Sequence, residues 1–185
     1  MQSFDIKKYG ATVGRLVDPH RPVDLGPGSP ELAIASELME LGPNDLFGDQ
    51  RIVDMEMAEC CLSALWLWND FLDESHHISQ SVDTQTGSYW HGIMHRREPD
   101  YSNAKYWFRR VGNHAIFSKL SEAVQCLDAE VGSLGLTNEG SWDPFAFVDL
   151  CQKAAQRDAE WRDLCQQITR MEWELLFDYC YESAM

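Results

Sequence analysis

The stretch from Cys60 to Trp68 carries no charged side chain, and it constrains the fold more than any other part of the chain. It lies inside a segment, Arg51 to Asp73, where Val53, Met57, Cys60, Ala64, Leu67 and Phe71 recur at alternating steps of four and three, the spacing of one helical face. A helix that is apolar nearly all round cannot lie on a surface, so other helices must surround it. The sequence therefore predicts a central helix over 51–73. Glu56 and Glu59 lie just before its apolar middle and Asp70 just after, and each is read as a solvated helix edge.

The other elements follow from capping residues and apolar stripes. Ser29, Pro30 and Glu31 read as N-cap, first helical position and favourable negative charge, opening a helix through Leu41 that Gly42 and Pro43 stop. A short helix is expected from Ser88 to Glu98, ended by Pro99. Asp100 or Ser102 caps the next, which runs to Val111 with Gly112 at its C′ position and Ala104, Trp107, Phe108 and Val111 as its packing stripe. Further helices are read from Ile116 to about Val131, from Pro144 to about Ala155, and from about Asp158 to Tyr181. The last has a stripe of Trp161, Leu164, Ile168, Met171, Leu175 and Tyr179. No segment shows sustained period-two alternation. The expected fold is all-α, a single-domain bundle of about six or seven helices around the central one.

Residues 1–29 read differently. Pro19, Pro22 and Pro27 with Gly26 and Gly28 interrupt both helix and strand, so an N-terminal arm over 1–29 is expected to strap a helical domain of 30–185. At 185 residues with 44% hydrophobic and 24% charged side chains, the chain is long and apolar enough for a real core, which excludes a disordered tail or fibrous repeat. No apolar run approaches the roughly 20 residues of a membrane span, and MQSFDIKKYG lacks the apolar region of a signal peptide. A cytoplasmic protein with no membrane partner is the expectation. Six cysteines without a CxxC pair, at positions 60, 61, 126, 151, 165 and 180, fit buried thiols better than a disulfide framework or a zinc ribbon.

Thirty acidic against fifteen basic side chains leave the chain at −15, which opposes nucleic acid unless positive charge is concentrated locally. One segment concentrates it. From His91 to His114 five bases (Arg96, Arg97, Lys105, Arg109, Arg110) face two acids (Glu98, Asp100), a local +3 in a chain whose remainder carries −18. Tyr89, Trp90, Tyr101, Tyr106, Trp107 and Phe108 accompany these bases. Forked guanidinium donors on a rigid aromatic wall suit a carboxylate or phosphate in a concave site. The alternative is that the bases neutralise acids on neighbouring helices. The patch is too small for a polyanion, so no nucleic acid partner is expected, whereas a small anion inside a pocket senses chiefly the local field.

His91 and His95 stand at i, i+4, one above the other on a helix, and Glu98 follows on nearly the same face. Gly92 occupies the place where the zinc-protease motif HExxH has its glutamate, so that motif is absent. Glu74 and His77 form a single ExxH step; a di-iron bundle needs two, and no second occurs. Phosphate-binding glycine loops, dinucleotide fingerprints, nucleophile elbows and kinase signatures are also missing.

The functional expectation is an enzyme or pocket protein acting on a small anionic metabolite. His91 or His95 would move a proton, with Tyr106 or Asn103 orienting a hydroxyl or carbonyl. Arg96, Arg97, Arg109 and Arg110, with Lys105 and Trp90, supply the binding groups, two of the four arginines facing any one ligand. A second reading is a metal-binding helical protein using His91, His95 and either His77 or Glu98. The neighbouring Arg96 and Arg97 would repel a divalent cation, which places proton transfer ahead of metal. A third reading is a non-catalytic module that docks an acidic partner protein.

Overall fold

A computed structural model describes residues 4–127, 129–138, 140–156 and 159–185. The fold is all-α, with nine α-helices among the described residues: α1 (Gly10–Leu16), α2 (Ala35–Glu40), α3 (Met55–Trp68), α4 (Leu72–Ser79), α5 (Gln85–Arg97), α6 (Tyr101–Val111), α7 (Phe117–Gln125), α8 (Pro144–Gln156) and α9 (Ala159–Ala184). A hairpin of two residues per strand, Thr137–Asn138 against Ser141–Trp142, pairs Thr137 with Trp142 and Asn138 with Ser141. No described helix is long and apolar enough to cross a membrane.

The charge-free stretch does what its composition requires. Every residue of α3 from Cys60 to Trp68 is buried, and α3 packs against α4, α5 and α9. Asp54 caps its start, Oδ1 accepting the Met57 amide at 3.1 Å. The helix ends five residues earlier than periodicity alone predicts. Asn69 Nδ2 donates to the Leu65 carbonyl at 2.9 Å, and Asp70 turns into the left-handed region at φ +65°. Phe71, the last residue of the stripe, therefore lies in the turn before α4, and Asp73, where the predicted helix ends, belongs to α4. The same local competition alters the helix expected over 30–41. Ser29 does not cap it; its amide donates to Asp70 Oδ2 and its carbonyl accepts from Arg21, which ties it to the α3–α4 turn. Glu31 caps a 3₁₀ turn over Leu32–Ile34, and α2 begins at Ala35.

The N-terminal residues hold more regular structure than their prolines suggest. A 3₁₀ turn (Ile6–Tyr9) and α1 precede Pro19, and Tyr9, Val13, Leu16, Val17 and Leu25 lie in the same buried core as α3. Residues 17–31 then run without helix until Glu31. Arg21 and Arg97 close this segment onto the α3–α4 turn: Arg21 Nη2 reaches Asp70 Oδ2 at 2.6 Å, and Arg97 Nη2 reaches Asp70 Oδ1 at 2.5 Å. Gly28 (φ +73°) is required there, since a Cβ would lie 2.4 Å from the Asp70 carboxyl carbon.

Later elements follow the caps. Thr84 caps α5, which begins at Gln85, three residues before the expected start, Thr84 Oγ1 accepting the Gly87 amide at 3.0 Å. Asp100 caps α6 and Gly112 (φ +61°) follows it. The helix expected over 116–131 divides into α7 and a 3₁₀ segment, Ala129–Leu134. The expected start of the last helix at Asp158 lies outside the described residues, and α9 continues to Ala184. Five of the six cysteines are buried thiols and Cys126 is exposed.

Candidate metal centre

Helix α4 buries Leu72, Ser75 and Ser79, at helical steps of three and four, and His76 lies on that same face, half-buried, while His77 is exposed. This face meets α5, which buries His91 and His95. Gly92 allows the third helix to close in: a Cβ there would stand 3.2 Å from the Phe108 ring of α6. That approach brings Asn103 and Trp107, one turn apart on α6, to the edge of the histidine pair. The glycine that replaces the zinc-protease glutamate thus has a packing role.

His76, His91 and His95 each offer a ring nitrogen, and these atoms all lie within 4.8 Å of one another. The Nε2 atoms of His91 and His95 are 2.9 Å apart. The opposite nitrogens have partners: His91 Nδ1 is 3.3 Å from Ser79 Oγ, and His95 Nδ1 is 3.0 Å from Glu98 Oε2. A carboxylate on Nδ1 holds that proton in place and leaves Nε2 as a lone pair, the outer arrangement that orients imidazole ligands. Ser79, which can donate or accept, accommodates either tautomer of His91. Asn103 Nδ2 lies 3.0 Å from His95 Nε2, and the Trp107 ring covers His91 with centroids 3.9 Å apart.

Electrostatics favour the neutral form of His91 and His95. Burial, reinforced by repulsion from His95 and His76, lowers the His91 pKa to about 3. Burial lowers His95 as well, with Glu98 pulling in the opposite direction. His91 is therefore neutral near pH 7, with one ring nitrogen protonated and the other a free lone pair. Neutral lone pairs are what a metal ion requires.

The bases of the segment point elsewhere. Arg96 pairs with fully buried Glu172 of α9 and lies over the Phe147 ring, and Arg97 serves Asp70 and the carbonyls of Gly26 and Leu67. Lys105 pairs with Asp149, while Arg110 pairs with Asp83 and lies over Trp107. Arg109 is exposed and lines an open cleft with Pro99, Tyr101, Ser102 and Lys105. Trp90 is a core residue whose Nε1 donates to Cys180 Sγ, and Tyr106 is exposed, edge-on to Trp107. Successive helical residues diverge by about 100°, so neighbours Arg96 and Arg97 serve different acids, Glu172 and Asp70.

Of the sequence-derived site residues, the structure brings together His91, His95, Asn103 and Glu98. His76 replaces His77 as the third imidazole, and Glu98 is an outer partner of His95. The signal for His76 was present in the 72, 75, 76, 79 spacing. The chain matches no family model, no curated protein and no solved structure.

Proposed function

We propose that this chain is a metalloprotein in which His76, His91 and His95 bind one divalent transition metal ion, and that it acts on a small anionic metabolite at that ion. The observation carrying this reading is the approach of three imidazole nitrogens to within 4.8 Å of one another. Tetrahedral zinc with Zn–N bonds of about 2.0–2.1 Å holds its nitrogens about 3.3 Å apart, so the 2.9 Å between His91 and His95 Nε2 opens by a few tenths of an ångström. Three all-nitrogen ligands suit zinc, nickel, copper or iron over magnesium or calcium. They also leave a coordination position for water or substrate, as catalytic sites do. A bound ion there supplies Lewis acidity and an acidic water.

The anionic substrate class follows from charge. Three neutral imidazoles do not cancel a divalent ion, and Glu98 offsets one of its two charges. The repulsion expected from Arg96 and Arg97 is absorbed by Glu172 and Asp70. The ion, with Asn103 beside it, takes over the role that the sequence assigned to an arginine clamp. Half-buried His76 gives the side of approach. Buried thiols suit a reducing compartment, and we place the protein in the cytoplasm.

Elemental analysis of protein purified without a metal-binding tag, followed by titration of apo-protein with cobalt(II), tests the reading. One equivalent of bound ion and a tetrahedral or five-coordinate cobalt spectrum are expected, both lost in His76→Ala, His91→Ala and His95→Ala chains that keep their helical circular dichroism. Phosphate or acetate should perturb the cobalt spectrum through the open position. A wild-type chain that takes up neither zinc nor cobalt at micromolar concentration overturns the proposal.

A further inference from the structure

Away from the histidines, a cavity of about 20 Å³ lies between the N-terminal segment, α3, α5 and α9, and Arg21, Trp68 and Thr169 are among its lining residues. Each of these three has a buried polar atom with no hydrogen-bond partner among the described residues: Arg21 Nε, Trp68 Nε1 and Thr169 Oγ1. Trp68 and Thr169 are 6% and 4% exposed, so bulk solvent does not serve them. A buried polar group left without a partner is destabilising, and three orphans around one cavity are unlike the near-complete satisfaction of folded proteins. The structure assigns this cavity as the binding site of a single ordered water, which ties the N-terminal segment to α3 and α9.

Chemistry selects the occupant. An arginine Nε and an indole Nε1 only donate, so the occupant must accept at least two hydrogen bonds; a threonine hydroxyl can then accept one in return. Water does all three. Size agrees, since one water needs roughly 10–15 Å³ of such space, which leaves no room here for a second water or a polyatomic anion. A halide would fit by volume, but the charges around the cavity already balance. Arg21 and Arg97 are matched by Asp70 and Glu31, and Arg170, over the Trp68 ring, has Glu174 at 3.9 Å. A monatomic anion would exchange its hydration for walls of Val23, Leu67, Ile93 and Trp173 with no net positive charge in return.

The water completes a clasp already half visible in Asp70. Arg21 uses Nη2 on Asp70 Oδ2 and the Ser29 carbonyl, and Nη1 on Glu31, while its buried Nε has no partner among the described residues. Nothing in this inference depends on a metal at the histidines.

Two measurements decide it. A crystal structure at 1.5 Å or better should show one density peak about 2.7–3.2 Å from all three atoms, with no anomalous signal after a bromide soak; an anomalous peak or featureless density overturns the assignment. Thr169→Val, close in shape, gives the thermodynamic readout. If water bridges the three groups, the variant loses a bond and its melting temperature falls by about 2–4 °C. If the cavity is dry, removing an orphan hydroxyl leaves the melting temperature unchanged or raises it, which refutes the proposal.

Discussion

Glu172 has no exposed surface and serves two donors, Tyr89 Oη on Oε1 at 3.0 Å and Arg96 Nη2 on Oε2 at 2.5 Å. Its charge is tolerated in the core because a guanidinium neutralises it and both oxygens are occupied. Glu172→Gln keeps the shape and removes the charge, leaving Arg96 buried and uncompensated. We expect a loss of about 3–5 kcal/mol in urea unfolding, and much of it recovered in Arg96→Met/Glu172→Leu. A single variant as stable as wild type would mean that Arg96 reaches water. At this scale the sequence was least legible. Arg96 and Arg97 look alike beside His95, yet one serves an acid 76 residues away and the other an acid 27 residues away. A helical sequence displays neighbours within its own turns and not the acids across an interface.

Helix faces were far more legible, because the pattern that buries a face is written within a few turns. Ala64 shows no exposed surface, and its carbonyl accepts Trp173 Nε1 at 3.0 Å. Ala64→Asp therefore places an unpaired charge between α3 and α9 and should abolish cooperative thermal unfolding, or lower stability by more than about 4 kcal/mol. A soluble, equally stable variant would remove α3 from the centre of the bundle. Gly87, in the first turn of α5, makes a finer test. A Cβ there would stand 2.2 Å from the Val82 carbonyl oxygen, a backbone atom that cannot swing aside. Alanine gains about 1 kcal/mol of helix propensity over glycine, yet the clash should dominate, and we expect Gly87→Ala to unfold at least about 1–2 kcal/mol more easily. Helix ends were less legible than faces. The ends of α3 and α2 depend on Asn69, Asp70 and Ser29, whose side chains or backbone bond groups outside their own helix.

For the molecule as a whole, acid sensitivity follows from histidines buried in the neutral form. Burial lowers the His114 pKa to about 4, while in the unfolded chain it titrates near 6.5. Its Nδ1 accepts the Ile116 amide, which leaves Nε2–H to donate to Thr86 Oγ1 at 3.1 Å, with the Tyr89 and Tyr179 rings packed around it. Between these two values the unfolded chain binds a proton that the native chain excludes. Stability is thus greatest above pH 6.5 and declines as pH falls toward 4, by up to about 1.4 kcal/mol per pH unit for such a group. The sign is the same for His91, lowered to about 3. Differential scanning calorimetry should show the melting temperature dropping over this window, and His114→Gln should flatten part of the drop; an unchanged slope would show that His114 is not the group responsible. What the sequence by itself determined is the all-helical class, the buried face of α3, the stripe of α6 and the local reversal of charge from His91 to His114, because each arises from residues within a few turns of one another. Only the tertiary structure decided that His76 rather than His77 joins His91 and His95, that Arg96 and Arg97 neutralise buried acids, and that Arg21, Trp68 and Thr169 meet at one cavity. Metal coordination and hydrogen bonding act over about 2–3 Å, and which atoms come that close is set by how helices rotate and pack against one another, which a one-dimensional period does not record.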